Sequence, residues 1–128
     1  MKLNIKKLDV KRDDRGWLAE IIRPEDVGYE KFGQILISTA LPGKTKGCHY
    51  HKRKREWYCL IQGTGLLTVT DRKTGEKIEL TLSDKDLMLV EIPTGFLHSL
   101  ENTGDNELIL MAYLDESFDP NDPDVYQE

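Results

Sequence analysis

Three histidines and one glutamate are spaced as ligands for a metal ion. His49 and His51 sit two residues apart, Glu56 follows five residues after His51, and His98 comes later, behind Pro93-Thr94-Gly95. On a strand, residues two apart project from one face, so both imidazoles point the same way. The Lys52-Arg53-Lys54-Arg55 segment is short enough to be a hairpin turn, which predicts Glu56 beside them on the adjacent strand. The run itself reads more readily as a solvated turn than as a binding element. His98 is expected to complete the set from a distant strand. A lone H-x-H would more readily belong to a surface hairpin, but the chain has only three histidines and all three fall in this pattern. Three nitrogens and one oxygen leave one or two coordination positions open, which suits a working metal better than a structural one. One divalent ion is expected, zinc in the first instance, although these ligand types also admit iron, manganese, nickel or copper. Cys48 and Cys59 flank the set with the opposite strand parity, and both are expected to be small packing residues.

Strands must position these groups. Candidate strands are residues 34–41, 46–51, 57–62, 66–70, 77–82, 87–92 and 107–114, separated by Gly, Pro, Asn and Asp clusters that supply tight turns. Their even spacing, with no 3.6-residue apolar period, predicts an all-β sandwich or barrel. Residues 77–82 alternate, with Ile78, Leu80 and Leu82 on one face. Residues 87–92 and 108–114 are apolar almost throughout, as expected for strands covered on both sides, the second layer being either the opposite sheet or a partner subunit. A single domain over 1–128 is expected, with its core at about 34–114, an N-terminal strand segment and an irregular surface tail over 117–128.

With 128 residues, 38% apolar and 32% charged, the chain has enough apolar content for one core. A net charge of −5 without a long basic run argues against nucleic acid as a partner. No apolar stretch approaches the roughly 18–20 residues of a membrane span. The first residues lack the apolar core of a signal peptide, so no membrane partner and a cytoplasmic address are expected.

The run Gly43, His49, His51, Glu56, Gly63 resembles the first motif of the cupin superfamily. Pro93, Gly95, His98 and Asn102 resemble the second, whose leading glycine is replaced by the polar Ser83-Asp84-Lys85-Asp86. The resemblance covers about 36–114 and implies a single-domain double-stranded β-helix, a jelly-roll barrel, often dimeric; a homodimer is expected. Asp13-Asp14-Arg15-Gly16-Trp17-Leu18-Ala19-Glu20 is similar to the D-x-R-G-x-x-x-E segment of dTDP-4-dehydrorhamnose 3,5-epimerases. Lys46-Gly47-Cys48-His49-Tyr50 is similar to their R-G-x-H-Y, and Phe118-Asp119-Pro120 to their Y-x-P. A closer likeness is to the metal-binding C-terminal cupin domain of capsular-polysaccharide reductase/epimerases. It rests on the H-Y-H…K-x-E core and on the ending Phe118-Asp119-Pro120-Asn121-Asp122-Pro123-Asp124-Val125-Tyr126.

These likenesses imply an epimerase acting beside the ketone of a 4-keto-6-deoxy-hexose nucleotide in polysaccharide biosynthesis, with a nucleotide-diphosphate sugar as partner. A metal near the ketone oxygen would favour loss of the neighbouring proton. Tyr58, on the strand face of Glu56, and Tyr113, on a late strand, are candidate proton donors, each also suited to the core. The rhamnose-pathway enzymes use the histidine aligned with His49 as a base, so His49 is either a ligand here or a base at a labile metal site; the first is the preferred reading. Arg15 is the candidate anchor for the diphosphate. Lys46 could add a point charge, although its parity is opposite to that of His49 and it needs a local bulge or a second subunit to reach the site. Glu20 would contact substrate by the same resemblance. Alternatives are another metal cupin enzyme, either a dioxygenase or a sugar isomerase, and a non-catalytic sugar-binding cupin.

Overall fold

The period-2 runs become strands that stack as two antiparallel sheets. The computed structural model describes residues 1–28 and 32–127; Glu128, the end of the expected tail, lies outside them. One sheet comprises β1 (Ile5–Lys7), β4 (Gln34–Ala40), β6 (Glu56–Gln62), β9 (Met88–Ile92) and β11 (Leu108–Leu114), in the order β1-β9-β6-β11-β4. The second comprises β5 (Thr45–Tyr50), β7 (Thr64–Asp71), β8 (Lys77–Ser83), β10 (Phe96–Asn102) and β12 (Tyr126–Gln127), in the order β12-β5-β10-β7-β8. A separate hairpin pairs β2 (Val10–Asp13) with β3 (Gly16–Ala19), followed by the short helix α1 (Pro24–Val27). No described helix is long and apolar enough to cross a membrane.

Alternation sets the core. Tyr58, Leu60, Leu67, Val69, Val90, Leu100, Leu110 and Ala112 face inward between the two sheets and pack as one cluster. Residues of opposite parity, Trp57, Cys59, Leu89, Met111 and Tyr113, form a second cluster with Val27 of α1, against which Leu8, Ile21 and Ile22 also pack. The apolar run in β9 and β11 is thus explained by an opposite sheet on one side and the N-terminal segment on the other. Asp26 fastens that outer layer: its carboxylate accepts from the Arg23 N–H (2.8 Å) and from Lys6 Nζ on β1 (2.9 Å).

Some elements were only partly expected. Strand β10 supplies the distant strand expected for His98, but no apolar run marks its bounds, because its buried positions, His98, Leu100 and Asn102, mix polar and apolar types. The tail is not merely surface chain: it returns to the second sheet, where Tyr126 and Gln127 pair with Tyr50 and His49.

Candidate metal centre

Each ligand side chain is aimed inward by its strand. His49 and His98 are paired across β5 and β10. His51 follows β5, and Glu56 opens β6 in the other sheet, so the residues 52–55 cross between sheets rather than forming a hairpin. Glu56 therefore meets the histidines across the barrel interior, not from the adjacent strand. The ligand atoms of His49, His51, Glu56 and His98 all lie within 4.8 Å of one another. Glu56 Oε1 is 3.2 Å from His51 Nε2 and 3.1 Å from His98 Nε2.

The outer ring nitrogens are committed elsewhere. His51 Nδ1–H donates to the Asp124 carbonyl (2.7 Å), and His98 Nδ1–H to the Phe96 carbonyl (3.2 Å). A carbonyl cannot donate, so in a neutral imidazole this assignment leaves Nε2 as a bare lone pair facing the carboxylate. His98 Nε2 is near Glu56 but out of alignment, and is the one buried side-chain polar atom without a hydrogen-bond partner among the described residues. Electron-rich atoms converging in a largely buried site repel one another unless a cation or proton lies among them. Zinc–ligand bonds of about 2.0–2.2 Å in a tetrahedral shell place neighbouring ligand atoms about 3.3–3.6 Å apart, within the 4.8 Å that bounds this set. The donor types and the observed spacing fit a divalent metal.

Electrostatics follow from burial and partners. Burial, and then the neighbouring His98, hold the His49 imidazole down at about 4, so it is neutral near pH 7. Burial also disfavours charge on His51 and on Glu56, but with no metal between them a proton on His51 Nε2, donated to Glu56, outweighs it. His51 is raised, and Glu56, with His98 adding to the effect, is drawn down to about 2. Burial, with the Glu56 charge adding to it, pushes the Tyr58 phenol well above its usual range, so it stays protonated. The Tyr58 ring meets His98 edge-on, with ring centres 5.8 Å apart.

A cavity of about 220 Å³ opens beside the set, walled by His49, His51, Glu56, Tyr58, Lys46 and Lys54, with Phe118 and Val125 from the tail. Lys46 reaches it through a register shift: His98 pairs with His49 but Ser99 with Gly47, leaving Cys48 as a bulge with φ 62. Gly47 allows this with φ 96, since a Cβ there would lie 3.0 Å from the His98 carbonyl. The bulge also exposes Cys48, which is therefore not a packing residue, whereas Cys59 is fully buried in the outer cluster.

Other expected site residues lie elsewhere. Tyr113 is on the opposite face of the sheet, because β11 turns Ala112 inward and Tyr113 outward. Arg15, on the β2–β3 hairpin, has an 86% exposed side chain paired with Asp13 at 2.6 Å. Glu20 accepts from Arg23 Nε at 2.8 Å and lines a surface cleft away from the ligands. Lys54, expected in a solvated turn, is 2% exposed and its Nζ donates to the Pro123 carbonyl (3.0 Å). The cavity places of Lys54, Phe118 and Val125 had no signal in spacing; of these only Phe118 is a specified position of the tail motif.

With this geometry in view, the comparison with known proteins is direct. Residues 11–126 match the polysaccharide biosynthesis C-terminal domain. The chain belongs to that family. Over 114 residues it is 32% identical to UDP-2-acetamido-2,6-beta-L-arabino-hexul-4-ose reductase of Pseudomonas aeruginosa, covering 89% of this chain and 29% of that protein. It is 29% identical to the spore coat polysaccharide biosynthesis protein SpsL of Bacillus subtilis, over 95% of this chain and 84% of that one. The capsular polysaccharide assembling protein CapF of Staphylococcus aureus superposes with a TM-score of 0.74 at 35% identity, over 94% of this chain and 34% of CapF. The chain thus spans about a third of the length of the reductase and of CapF. The epimerase RmlC of Legionella pneumophila, solved with dTDP-4-keto-L-rhamnose, superposes with a TM-score of 0.80 at 20% identity, over 93% of this chain and 69% of that one. The fold is accordingly a cupin jelly-roll.

Proposed function

We propose that this chain is a metal-dependent nucleotide-sugar epimerase that inverts the carbon beside the ketone of a 4-keto-6-deoxy-hexose nucleotide in polysaccharide biosynthesis. The observation that carries the reading is a complete ligand set opening onto a cavity with a protonated tyrosine on its wall. Two relatives support the substrate class: the P. aeruginosa protein is named for a UDP-linked hexul-4-ose, and the L. pneumophila structure holds a dTDP-linked 4-keto sugar.

His49, His51, Glu56 and His98 would hold the ion, zinc as first choice. When bound, it supplies a Lewis acid that acidifies the hydrogens beside a ketone. His49 serves as a ligand in this reading, so proton abstraction falls to another group. Tyr58 donates the proton that completes inversion, because its phenol is kept neutral beside the ligands. At about 220 Å³ the cavity is smaller than the roughly 300–1,000 Å³ that holds a drug-sized molecule. It suits the sugar ring, with the diphosphate at the mouth near Lys46.

The reading includes a cytoplasmic homodimer. Trp17 and Leu18 on the hairpin and Ile35 and Ile37 on the edge strand β4 are all at least half exposed. Covering them with a second copy would offer Arg15 and Glu20 a route to a neighbouring cavity that they lack within one chain.

The test is incubation of the zinc-loaded protein with UDP- and dTDP-4-keto-6-deoxy-hexoses in deuterated water. Deuterium is expected at carbon 3 or carbon 5, read by NMR. No exchange with any of these sugars would overturn the epimerase reading.

A further inference from the structure

The tail motif around Asp124 is not accounted for by the proposed reaction, yet it is built into the ligand set. Asp124 is 2% exposed and adopts φ 48, a left-handed backbone that aspartate tolerates better than most residues. Its carboxylate accepts from three successive backbone N–H groups: Lys52 (3.0 Å), Arg53 (3.0 Å) and Lys54 (2.9 Å). These are the residues that carry the chain from His51 across to Glu56. Its main-chain carbonyl accepts from His51 Nδ1–H at 2.7 Å. One residue thus grips both a ligand ring and the connection between two ligands. Immediately beyond it, Tyr126 pairs with Tyr50 and stacks on its ring, with centres 5.3 Å apart, which ties the strap to β5.

We propose that Asp124 is a positioning residue of the metal centre. Its carbonyl holds His51 with the proton on Nδ1 and the Nε2 lone pair facing Glu56, while its carboxylate locks the 52–54 crossing that sets the distance from His51 to Glu56. This rests on the metal reading of the site. A neutral imidazole has one proton to place, and a ligating ring is normally oriented by whatever holds its other nitrogen. For His98 that partner is Phe96, two residues away on the same strand. For His51 it lies 73 residues along the chain, so the ligand is complete only when the tail is docked. Because the carboxylate satisfies three successive backbone donors at once, one of them buried, its removal should let the crossing relax and widen the ligand set.

The experiment uses the full chain and two variants chosen to tolerate a positive φ, Asp124→Gly and Asp124→Asn. Long-range ¹H–¹⁵N NMR of the zinc-loaded protein reads which nitrogen of each histidine keeps its proton, and competition with a chromophoric chelator reads zinc affinity. In the zinc-loaded natural sequence His51 and His98 are both expected as Nδ1–H, with Nε2 on the metal. Asp124→Gly keeps the main-chain carbonyl but loses the carboxylate bonds that hold it in place, so the grip on His51 should loosen while His98 keeps its tautomer, and zinc affinity should fall about 10–100-fold. Asp124→Asn, which retains one acceptor oxygen, should fall between. The intact His98 signal reports that a variant has folded; if Asp124→Gly has not, the Asp124→Asn comparison decides. An Nε2–H His51 in the zinc-loaded natural sequence, or zinc binding by the folded variants within about twofold of it, overturns the inference. Failure of the metal reading looks different: the natural sequence would itself take no zinc, overturning both.

Discussion

Strand β6 divides two environments that are equally buried and electrostatically opposite. Glu56 is 5% exposed on its inner face, and Cys59 has no exposed surface on its outer face. Burial penalises the charged form of each. At Cys59, burial is unopposed and pushes the thiol up to about 11. At Glu56, burial is overcome by His51 and His98, and the carboxyl is drawn down to about 2. Depth alone therefore does not decide whether a barrel wall carries charge; partners do. The inner face favours ionised and metal-ligating groups at one point, whereas the outer face, packed against α1 and the N-terminal segment, is closed to them.

The comparison is most exposed at neighbouring residues. Glu56→Gln preserves shape and removes the charge, and should weaken zinc binding by more than the about 100-fold upper range of an outer-shell change, with the fold retained. Trp57→Ala should do the reverse, costing about 3–5 kcal/mol in urea unfolding while the folded protein still binds one zinc. Loss of metal in the tryptophan variant and its retention in the glutamine variant would break the two-face account. A finer cut removes one hydroxyl from each face. Tyr58→Phe is expected to reduce deuterium incorporation about 10²–10⁴-fold, and Tyr113→Phe to leave it unchanged, in a parallel assay of the zinc-loaded proteins.

The smallest effect concerns the clip that closes the outer face. Asp26→Asn should cost about 1 kcal/mol of stability at pH 7, in the range of a lost helix cap. Burial works against ionisation of Asp26, but Lys6 and the Arg23 N–H outweigh it and hold the carboxyl below its ordinary 3.8. A depressed pKa contributes stability above the unfolded value that is lost as pH falls through the folded one. The two proteins should therefore differ fully above about pH 4 and converge in stronger acid, followed by urea midpoints across pH. A constant difference down to pH 2 would remove the charge from the explanation.

Much of this was legible in residue types. Spacing of two on a strand puts His49 and His51 on one face, and the same parity puts Tyr58 with Glu56 and turns Cys59 away. Lys46 had the wrong parity for the cavity and reaches it only through the Gly47–Cys48 bulge, a backbone event that residue counting can require but not locate. A strand was expected to carry His98, but its bounds were not legible, because hydrophobicity does not mark a strand whose inward residues include His98 and Asn102. The acidic, proline-containing tail read as solvated chain because its buried group, Asp124, is satisfied by backbone N–H groups more than 60 residues distant, to which no local pattern points.

By itself the sequence determined an all-β chain, the identity of four groups able to ligate a metal, and which neighbours share a side wherever a strand runs without a bulge. Those follow from side-chain chemistry and the two-residue period, both local properties. Only the tertiary structure decided that Glu56 approaches from the opposite sheet, that Tyr113 faces outward, that Arg15 and Glu20 stand apart, and that the tail completes His51. Parity tells which side of a strand a residue occupies; it does not tell which strand, sheet or terminus will be packed across from it.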